Sequence, residues 1–351
     1  MLKDLCFEII QTCPNKCIFC SSCSDIEKDK IISFDQFKLT IDYLMNHGGV
    51  EEISLSGGEP FLHPDLLKMI IYCKSYGIRT VLFTSGIKKR TIGTPEEMAL
   101  VEADFRKYYS QIRDITPEDI EKFTKRNMDI INQYNSKTFS EITSNDYRVL
   151  EQAGLDKIVF DLQAWEKEPY NEMMGSQNTE EYVITSLANS SSTTIEKDAH
   201  FIPTKVNYRE LNGLVEILNY CKFDQLSILN FVPQGRGEIN QDRLIMSDSE
   251  FTEFIRLLNI QKTIFKGKVR VGIPLMGEAK HLCTAGFSKM VIKYDGTVLP
   301  CPAFKEYDLA TLNKMGIKTP NIYTDLDKVE IHEGHRKYPL CKKLYDFNRS
   351  I

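Results

Sequence analysis

Over the first 235 residues, short apolar runs bounded by Gly-rich or polar turns alternate with amphipathic helical stretches. Leu5–Ile10, Glu52–Ser56, Thr80–Thr84, Lys157–Leu162, His200–Pro203 and Gln225–Phe231 read as buried strands. Phe34–Asn46, Pro64–Tyr76, Glu180–Leu187 and Arg209–Tyr220 read as helices between them. Strand–helix units in series imply parallel strands joined by right-handed crossovers, which means an α/β barrel or an open doubly wound sheet. Six such units fall short of an eight-fold barrel.

The rhythm breaks twice. Residues 85–156 separate the third strand from the fourth, far more than the dozen or so that a crossover needs. Within them, Thr94-Pro95-Glu96-Glu97 and Thr116-Pro117-Glu118-Asp119 each place a capping hydroxyl, then Pro, then acids that complement the helix dipole. The expectation is a helical hairpin inserted at about 88–145, followed by a crossover helix near Tyr147–Gln152. It leaves the C-terminal end of a strand, where α/β barrels keep their chemistry, so it is read as a lid or docking surface or else as solvated decoration. After Gly237 the pattern changes again: a helix at Asp248–Gln261, an apolar run at Lys268–Ile273, then Cys283-Thr-Ala-Gly286. Lys289–Tyr294 and Thr297–Leu299 flank Asp295-Gly296, a strong hairpin signal, and Pro300-Cys301 follows. Cys341 falls on an expected helix. These features predict a boundary near residue 240, giving domains 1–240 and 241–351.

Composition decides how the ten cysteines are read. The 351 residues suit a barrel-sized unit with an appended module, and 42% hydrophobic residues can bury a sizeable core. A net charge of −5 gives no sign of a nucleic-acid or membrane surface. No run approaches the roughly 18–20 apolar residues of a membrane span, and MLKDLCFEIIQTCPNKC is not a signal peptide. The expected location is therefore the cytoplasm, where clustered cysteines argue for metal ligation or redox chemistry rather than disulfides.

Cys13-x3-Cys17-x2-Cys20 lies in a loop directly after the first strand. Three thiolates on a tight loop can hold three irons of a cubane and leave the fourth open to a substrate. Cys23, three residues on, would instead complete a zinc site or a closed cluster. A second motif favours the open form. Ser56-Gly57-Gly58-Glu59-Pro60 ends the second strand, where two glycines let a ligand approach the main chain closely.

Together, Cys13-x3-Cys17-x-Phe19-Cys20 and Gly57-Gly58-Glu59-Pro60 resemble the signature of radical S-adenosylmethionine (radical SAM) enzymes, over about residues 3–235. The resemblance implies a partial (β/α)6 TIM-type barrel and a 4Fe–4S cluster on Cys13, Cys17 and Cys20. The open iron would chelate S-adenosylmethionine, and reductive cleavage would yield a 5′-deoxyadenosyl radical that abstracts a substrate hydrogen atom. It further implies that the Gly57–Pro60 turn holds the methionine amino group and that Phe19 packs near the adenine. Thr84-Ser85-Gly86 resembles the family's Thr-Asn-Gly, and Asp161 and Gln163 fall where cofactor contacts usually lie. Val232-Pro233-x-Gly235-Arg236-Gly237 resembles the segment after the sixth strand. His63 resembles a family feature that starts the next helix. Cys23 becomes an extra thiol beside the site, a candidate hydrogen donor together with Cys6 and Cys221. A flavodoxin- or ferredoxin-type reductant is the implied partner.

Cys283-x12-Gly296-x4-Cys301, with Cys341, resembles the superfamily's auxiliary-cluster domains, called SPASM in long form and twitch in short form. A small β-hairpin and helix domain carrying a second 4Fe–4S cluster with three cysteine ligands is implied. A zinc site or unligated thiols are the alternatives, and His281, His332 and His335 are candidates for a fourth ligand. Two substrate classes follow. A peptide or protein would be modified by epimerisation, crosslinking or oxidation, although the chain starts directly at the first strand without a leader-binding domain. A small molecule would be dehydrogenated or rearranged in cofactor or antibiotic synthesis. Sulfur transfer and a non-catalytic electron carrier complete the readings, and the Gly57–Pro60 turn counts against the carrier.

Overall fold

The computed structural model describes residues 1–90, 95–135, 138–176, 179–271, 283–332, 334–335 and 340. The chain forms two compact units, Met1–Ile87 with Glu141–Ile351, and Lys88–Ser140. The first runs through β1 (Asp4–Ile10), α1 (Phe34–Asn46), β2 (Glu52–Gly57), α2 (Leu66–Ser75), β3 (Arg79–Thr84) and the start of β4 (Ile87–Lys89). The second carries α3 (Pro95–Ser110), α4 (Pro117–Asn135) and most of β5 (Phe139–Glu141). The first then resumes with α5 (Ser144–Ala153), β6 (Lys157–Asp161), α6 (Lys167–Met174), α7 (Glu180–Asn189), β7 (Glu196–Phe201), α8 (Leu211–Tyr220) and β8 (Gln225–Ile228). Two single-turn helices, α9 (Arg236–Ile239) and α10 (Gln241–Leu244), precede α11 (Asp248–Ile264), β9 (Lys268–Val271), β10 (Lys289–Ile292), β11 (Val298–Leu299) and α12 (Leu309–Lys314).

Among the described residues, nine strands form one sheet in the order β11-β10-β1-β2-β3-β6-β7-β8-β9. All neighbours are parallel except β10 and β11. Alternate residues decide what each face does. Leu5, Phe7 and Ile9, Ile53 and Leu55, Ile158 and Phe160, and Ala199 and Phe201 are buried. Between and beside them, Cys6, Glu8, Ser54, Asp161 and His200 are small or polar and, with the apolar Val159, line a cavity. Burying apolar rows contributes roughly 25 cal/mol per Å².

Local signals place the helices. Ser33 Oγ accepts from Gln36 N and starts α1, and Thr143 with Asp146 forms a reciprocal capping box on α5. Ser247 with Glu250 does the same for α11. In the smaller unit, Asp119 N donates to Thr116 Oγ1 at 3.2 Å while Thr116 N donates to Asp119 Oδ2, so the second expected helix start is present. Tyr109 and Phe123 join α3 to α4, with ring centroids 5.5 Å apart.

The fifth strand lies further upstream than the apolar pattern implied, at Glu196–Phe201 rather than His200–Pro203. Glu196-Lys197-Asp198 reads as a solvated run, yet Lys197 and Asp198 are buried. The Lys197 ammonium donates to the carbonyls of Ser190 and Cys221, at 3.3 and 3.0 Å. Asp198 Oδ2 accepts from Gln225 and Ser227. Neighbouring polar groups thus let charges sit in a central strand. The helix expected at Pro64–Tyr76 forms as α2, and a separate 3-10 turn at Pro60–Leu62 precedes it.

The expected hairpin forms, with Val291 opposite Leu299, but it also joins the main sheet, because β10 pairs with β1 in the register Cys6 to Val291. Residues after 240 thus add β9 at one edge and β10–β11 at the other. Cys341 and His281 lie outside the described residues. Among those described, no helix is long and apolar enough to cross a membrane.

Gly296 turns the hairpin at φ +83°, and an added Cβ would meet the Tyr323 ring at 2.6 Å. Gly296→Ala should cost about 1–3 kcal/mol, read as a lower urea midpoint with an unchanged slope.

Candidate active site

The inward rows of the sheet and the loops at their C-terminal ends enclose a cavity of about 730 Å³. Cys13, Cys17 and Cys20 line it, as do Gly57, Gly58 and Asp161. The loop carrying the thiols has no regular secondary structure, so its backbone groups must find partners elsewhere. Lys16 N and Ile18 N donate to the carbonyls of Met174 and Met173 at the end of α6, both at 3.0 Å. Arg236 closes the other side: its backbone N donates to Cys20 O, its Nε to Cys17 O and its Nη2 to Ser24 O. Asn240 Nδ2 donates to Ile18 O. Gly235 makes this approach possible at φ +55°, since a Cβ there would meet Cys20 O at 2.8 Å.

The Gly57–Pro60 turn serves the same loop. A Cβ on Gly57 would lie 2.1 Å from Ile10 O, and one on Gly58 would lie 2.1 Å from Thr12 O. Gly58 N donates to Ile10 O and Glu59 N to Thr12 O. The glycines therefore admit the chain's own backbone leading into Cys13, a reason the sequence did not reveal. Glu59 is fully buried and, like Pro60, is not among the residues lining the cavity. Its carboxylate accepts from Phe61 N, Thr84 Oγ1, Ser85 N and Ser85 Oγ, at 2.6–3.1 Å. Burial raises Glu59 to about 7 against these four bonds. It ties the second strand's turn to the third strand, and Ser85 lines the cavity from that tie.

Phe19 and Asp161 line the cavity, whereas Gln163 does not. Gln163 donates to Asp161 Oδ1 and accepts from Ile202 N, so it orients Asp161. Burial lifts the Asp161 carboxyl to about 6, opposed by the Gln163 hydrogen bond. His63 is buried and spans Ile32 O and Asp65 N, a local staple. His200 lines the cavity beside Asp161, and burial depresses it to about 4. Burial also pushes the Cys13 and Cys17 thiols well above their usual range, so binding cationic metal there would offset the cost of forming thiolates.

Of the other thiols, Cys6 and Cys301 line the cavity, whereas Cys23 and Cys221 do not. Cys23 Sγ lies 3.8 Å from Glu306 Oε2. Cys283 is buried in an apolar cluster against which Cys6 and Cys301 also pack, and its sulfur accepts from Leu340 N at 3.3 Å. His332 is exposed and pairs with Glu330.

Glu8 is a feature the sequence reading missed. It is fully buried on β1, and its Oε1 accepts from both Ser22 Oγ and Lys305 Nζ at 2.6 Å. Oε2 has no partner. Ser22 follows Cys20 by two residues and Lys305 follows Cys301 by four, so one carboxylate joins both cysteine segments. A Glu amid DLCFEII was the available signal.

Lys305→Met strands the Glu8 charge and should cost about 3–5 kcal/mol, whereas Glu8→Gln with Lys305→Met should recover most of it, as denaturant melts would show. His200 gives a pH signature. The unfolded imidazole takes a proton near 6.5 and the folded one only near 4, so stability is lost as pH falls across that window. His200→Phe should flatten the acid limb, worth on the order of 3 kcal/mol, in melts at pH 7 and pH 4.5.

Known proteins share this fold. The radical SAM superfamily model matches residues 7–218, more than half of the chain. The PqqA peptide cyclase of Methylorubrum populi is 19% identical over 301 residues, covering 84% of this chain and 65% of the relative. The chain thus spans slightly less than two-thirds of that relative's length. Streptococcus suis SuiB bound to its precursor peptide SuiA superposes with a TM-score of 0.61 at 16% identity, covering 93% of this chain and 64% of SuiB. The structure of anSMEcpe with AdoMet and the Cp18Cys peptide gives a TM-score of 0.57 at 16% identity, covering 98% of this chain and 81% of that one. At these identities the superpositions speak for the fold alone, but the matched family model is decisive: the chain belongs to the radical SAM superfamily, a family defined by a 4Fe–4S cluster and S-adenosylmethionine.

Proposed function

We propose that this protein is a radical SAM enzyme that modifies a peptide or protein, with Cys13, Cys17 and Cys20 holding the 4Fe–4S cluster. The carrying observation is the convergence of these three thiols on one cavity of about 730 Å³. When bound, the cluster and S-adenosylmethionine supply a 5′-deoxyadenosyl radical that abstracts a substrate hydrogen atom. The chain's own part is to hold the thiol loop through Arg236, Asn240 and the Met173–Met174 carbonyls, and to shape the space around the reacting C–H. Phe19, Gly57, Gly58, Ser85 and Asp161 are the proposed cofactor contacts, with Glu59, Pro60 and Gln163 acting through them. In finer terms, β1, β2, β3, β6, β7 and β8 make a partial (β/α)6 barrel.

Residues 241–351 are proposed as an auxiliary module, with Cys283, Cys301 and Cys341 holding a second 4Fe–4S cluster. In support, Cys301 reaches the same cavity, and Leu340, bonded to the Cys283 sulfur, adjoins Cys341 in sequence. The peptide reading draws on the printed descriptions of the relatives, a peptide cyclase and two peptide-bound structures. Its reductant would be a flavodoxin or ferredoxin.

Under anaerobic reduction, wild type should form 5′-deoxyadenosine and carry about eight irons per chain, against about four for one cluster. Cys17→Ala should lower 5′-deoxyadenosine by at least about 100-fold, and Cys73→Ala, a core thiol on α2, should not. Cofactor cleavage surviving in Cys17→Ala would falsify the central reading. Co-expression with a short peptide encoded beside the gene should change that peptide's mass or chirality. An unchanged peptide, together with turnover of a small metabolite, would favour the small-molecule alternative.

A further inference from the structure

The loop that carries the three thiols also carries two buried polar side chains with nothing to bond. Asn15 lies between Cys13 and Cys17, is 1% exposed, and neither its Oδ1 nor its Nδ2 has a partner. Ser24, at 2% exposed, has a free hydroxyl. Both line the cavity with Cys13, Cys17 and Cys20. Of other buried polar side chains nearby, Ser22 bonds to Glu8, Gln163 to Asp161, and Asn207 to Thr204 and Gln163, while Glu8 and Asp198 each have one bonded oxygen and one without a partner. Leaving an amide and a hydroxyl unpaired in a dry site is costly unless a ligand completes them.

The surroundings narrow the ligand. An amide N–H and a hydroxyl O–H are donors, and Asn15 and Ser24 belong to the loop that brings the three cysteine sulfurs to the cavity. Metal-bound thiolate and bridging sulfide carry negative charge and accept hydrogen bonds readily. We propose that Asn15 Nδ2 and Ser24 Oγ donate hydrogen bonds to the sulfurs of the cluster held by Cys13, Cys17 and Cys20, and so raise its reduction potential. This rests on the assignment of those three thiols as its ligands. The physical cause is charge. Reduction adds one electron, spread largely over iron and sulfur, so a fixed donor binds the reduced form more strongly than the oxidised one. Asn15 and Ser24 are themselves 1% and 2% exposed, so solvent does little to weaken that difference.

The test is a potentiometric titration of the iron-loaded protein without S-adenosylmethionine, followed by electron paramagnetic resonance of the reduced cluster. The signal to follow is the one that disappears in the Cys13→Ala, Cys17→Ala, Cys20→Ala triple variant. Asn15→Leu and Ser24→Ala should each move the midpoint to a more negative value, so that the reduced fraction at a fixed potential falls several-fold. The double variant should move it further, and iron per chain should stay at the wild-type value. Midpoints equal to wild type at full iron content would overturn the proposal. Should Asn15→Leu fail to load iron, Ser24→Ala alone carries the measurement. If the triple variant keeps its full iron and signal, the ligand assignment fails instead, and the two failures are distinguishable.

Discussion

An irregular, buried loop depends on other elements to satisfy its backbone, and the rest of this structure is organised around that need. The segment from Cys13 to Ser24 forms no helix or strand of its own. Its amides and carbonyls are taken up by α6 and by the Gly235–Asn240 segment, and the second-strand turn holds Ile10 and Thr12 just before it. Each supporting element approaches through a glycine: Gly175 beside Lys16, Gly235 beside Cys20, and Gly57 and Gly58 beside Ile10 and Thr12. A side chain at any of them would collide with backbone, which moves far less easily than another side chain. The thiols are thus held by packing around their backbone, before any metal contributes.

The sheet's inner face is the second organising element. Parallel sheets covered on both faces ordinarily carry apolar residues throughout. Here the inward rows mix apolar residues such as Val81, Phe83 and Val159 with polar ones, and Glu8 on β1 and Asp198 on β7 each find partners in the C-terminal segment or on a neighbouring strand. The Glu8–Lys305 pair is the clearest case, because it ties the first strand to the residues after Cys301. Such a pair adds little net stability once its desolvation is counted. What it does is fix where the C-terminal segment meets the cavity.

Much of the fold was legible. The apolar runs at β1, β2, β3, β6 and β8 had the length and turn boundaries of parallel strands, and the Asp295-Gly296 turn marked the hairpin. The fifth strand was only partly legible, since Lys197 and Asp198 look solvated until the Ser190, Cys221, Gln225 and Ser227 partners are in place. Three of those partners, Cys221, Gln225 and Ser227, lie more than twenty residues away. In the site, the three loop cysteines and the Gly-Gly-Glu-Pro turn were legible because local spacing carried them. Glu59 and Gln163 were legible as important, but their task of orienting Ser85 and Asp161 was not.

By itself the sequence determined the strand–helix alternation, the thiol spacing and the family to which both point, because these depend on residues close together in the chain. The tertiary structure decided the rest. It set Cys23 outside the cavity lining and Cys6 within it, brought the backbone of Ile10 and Thr12 against the two glycines, and left Asn15 and Ser24 unpaired beside the thiols. The physical reason is that burial and hydrogen-bond satisfaction are sums over neighbours brought together from distant segments, and no local pattern records them.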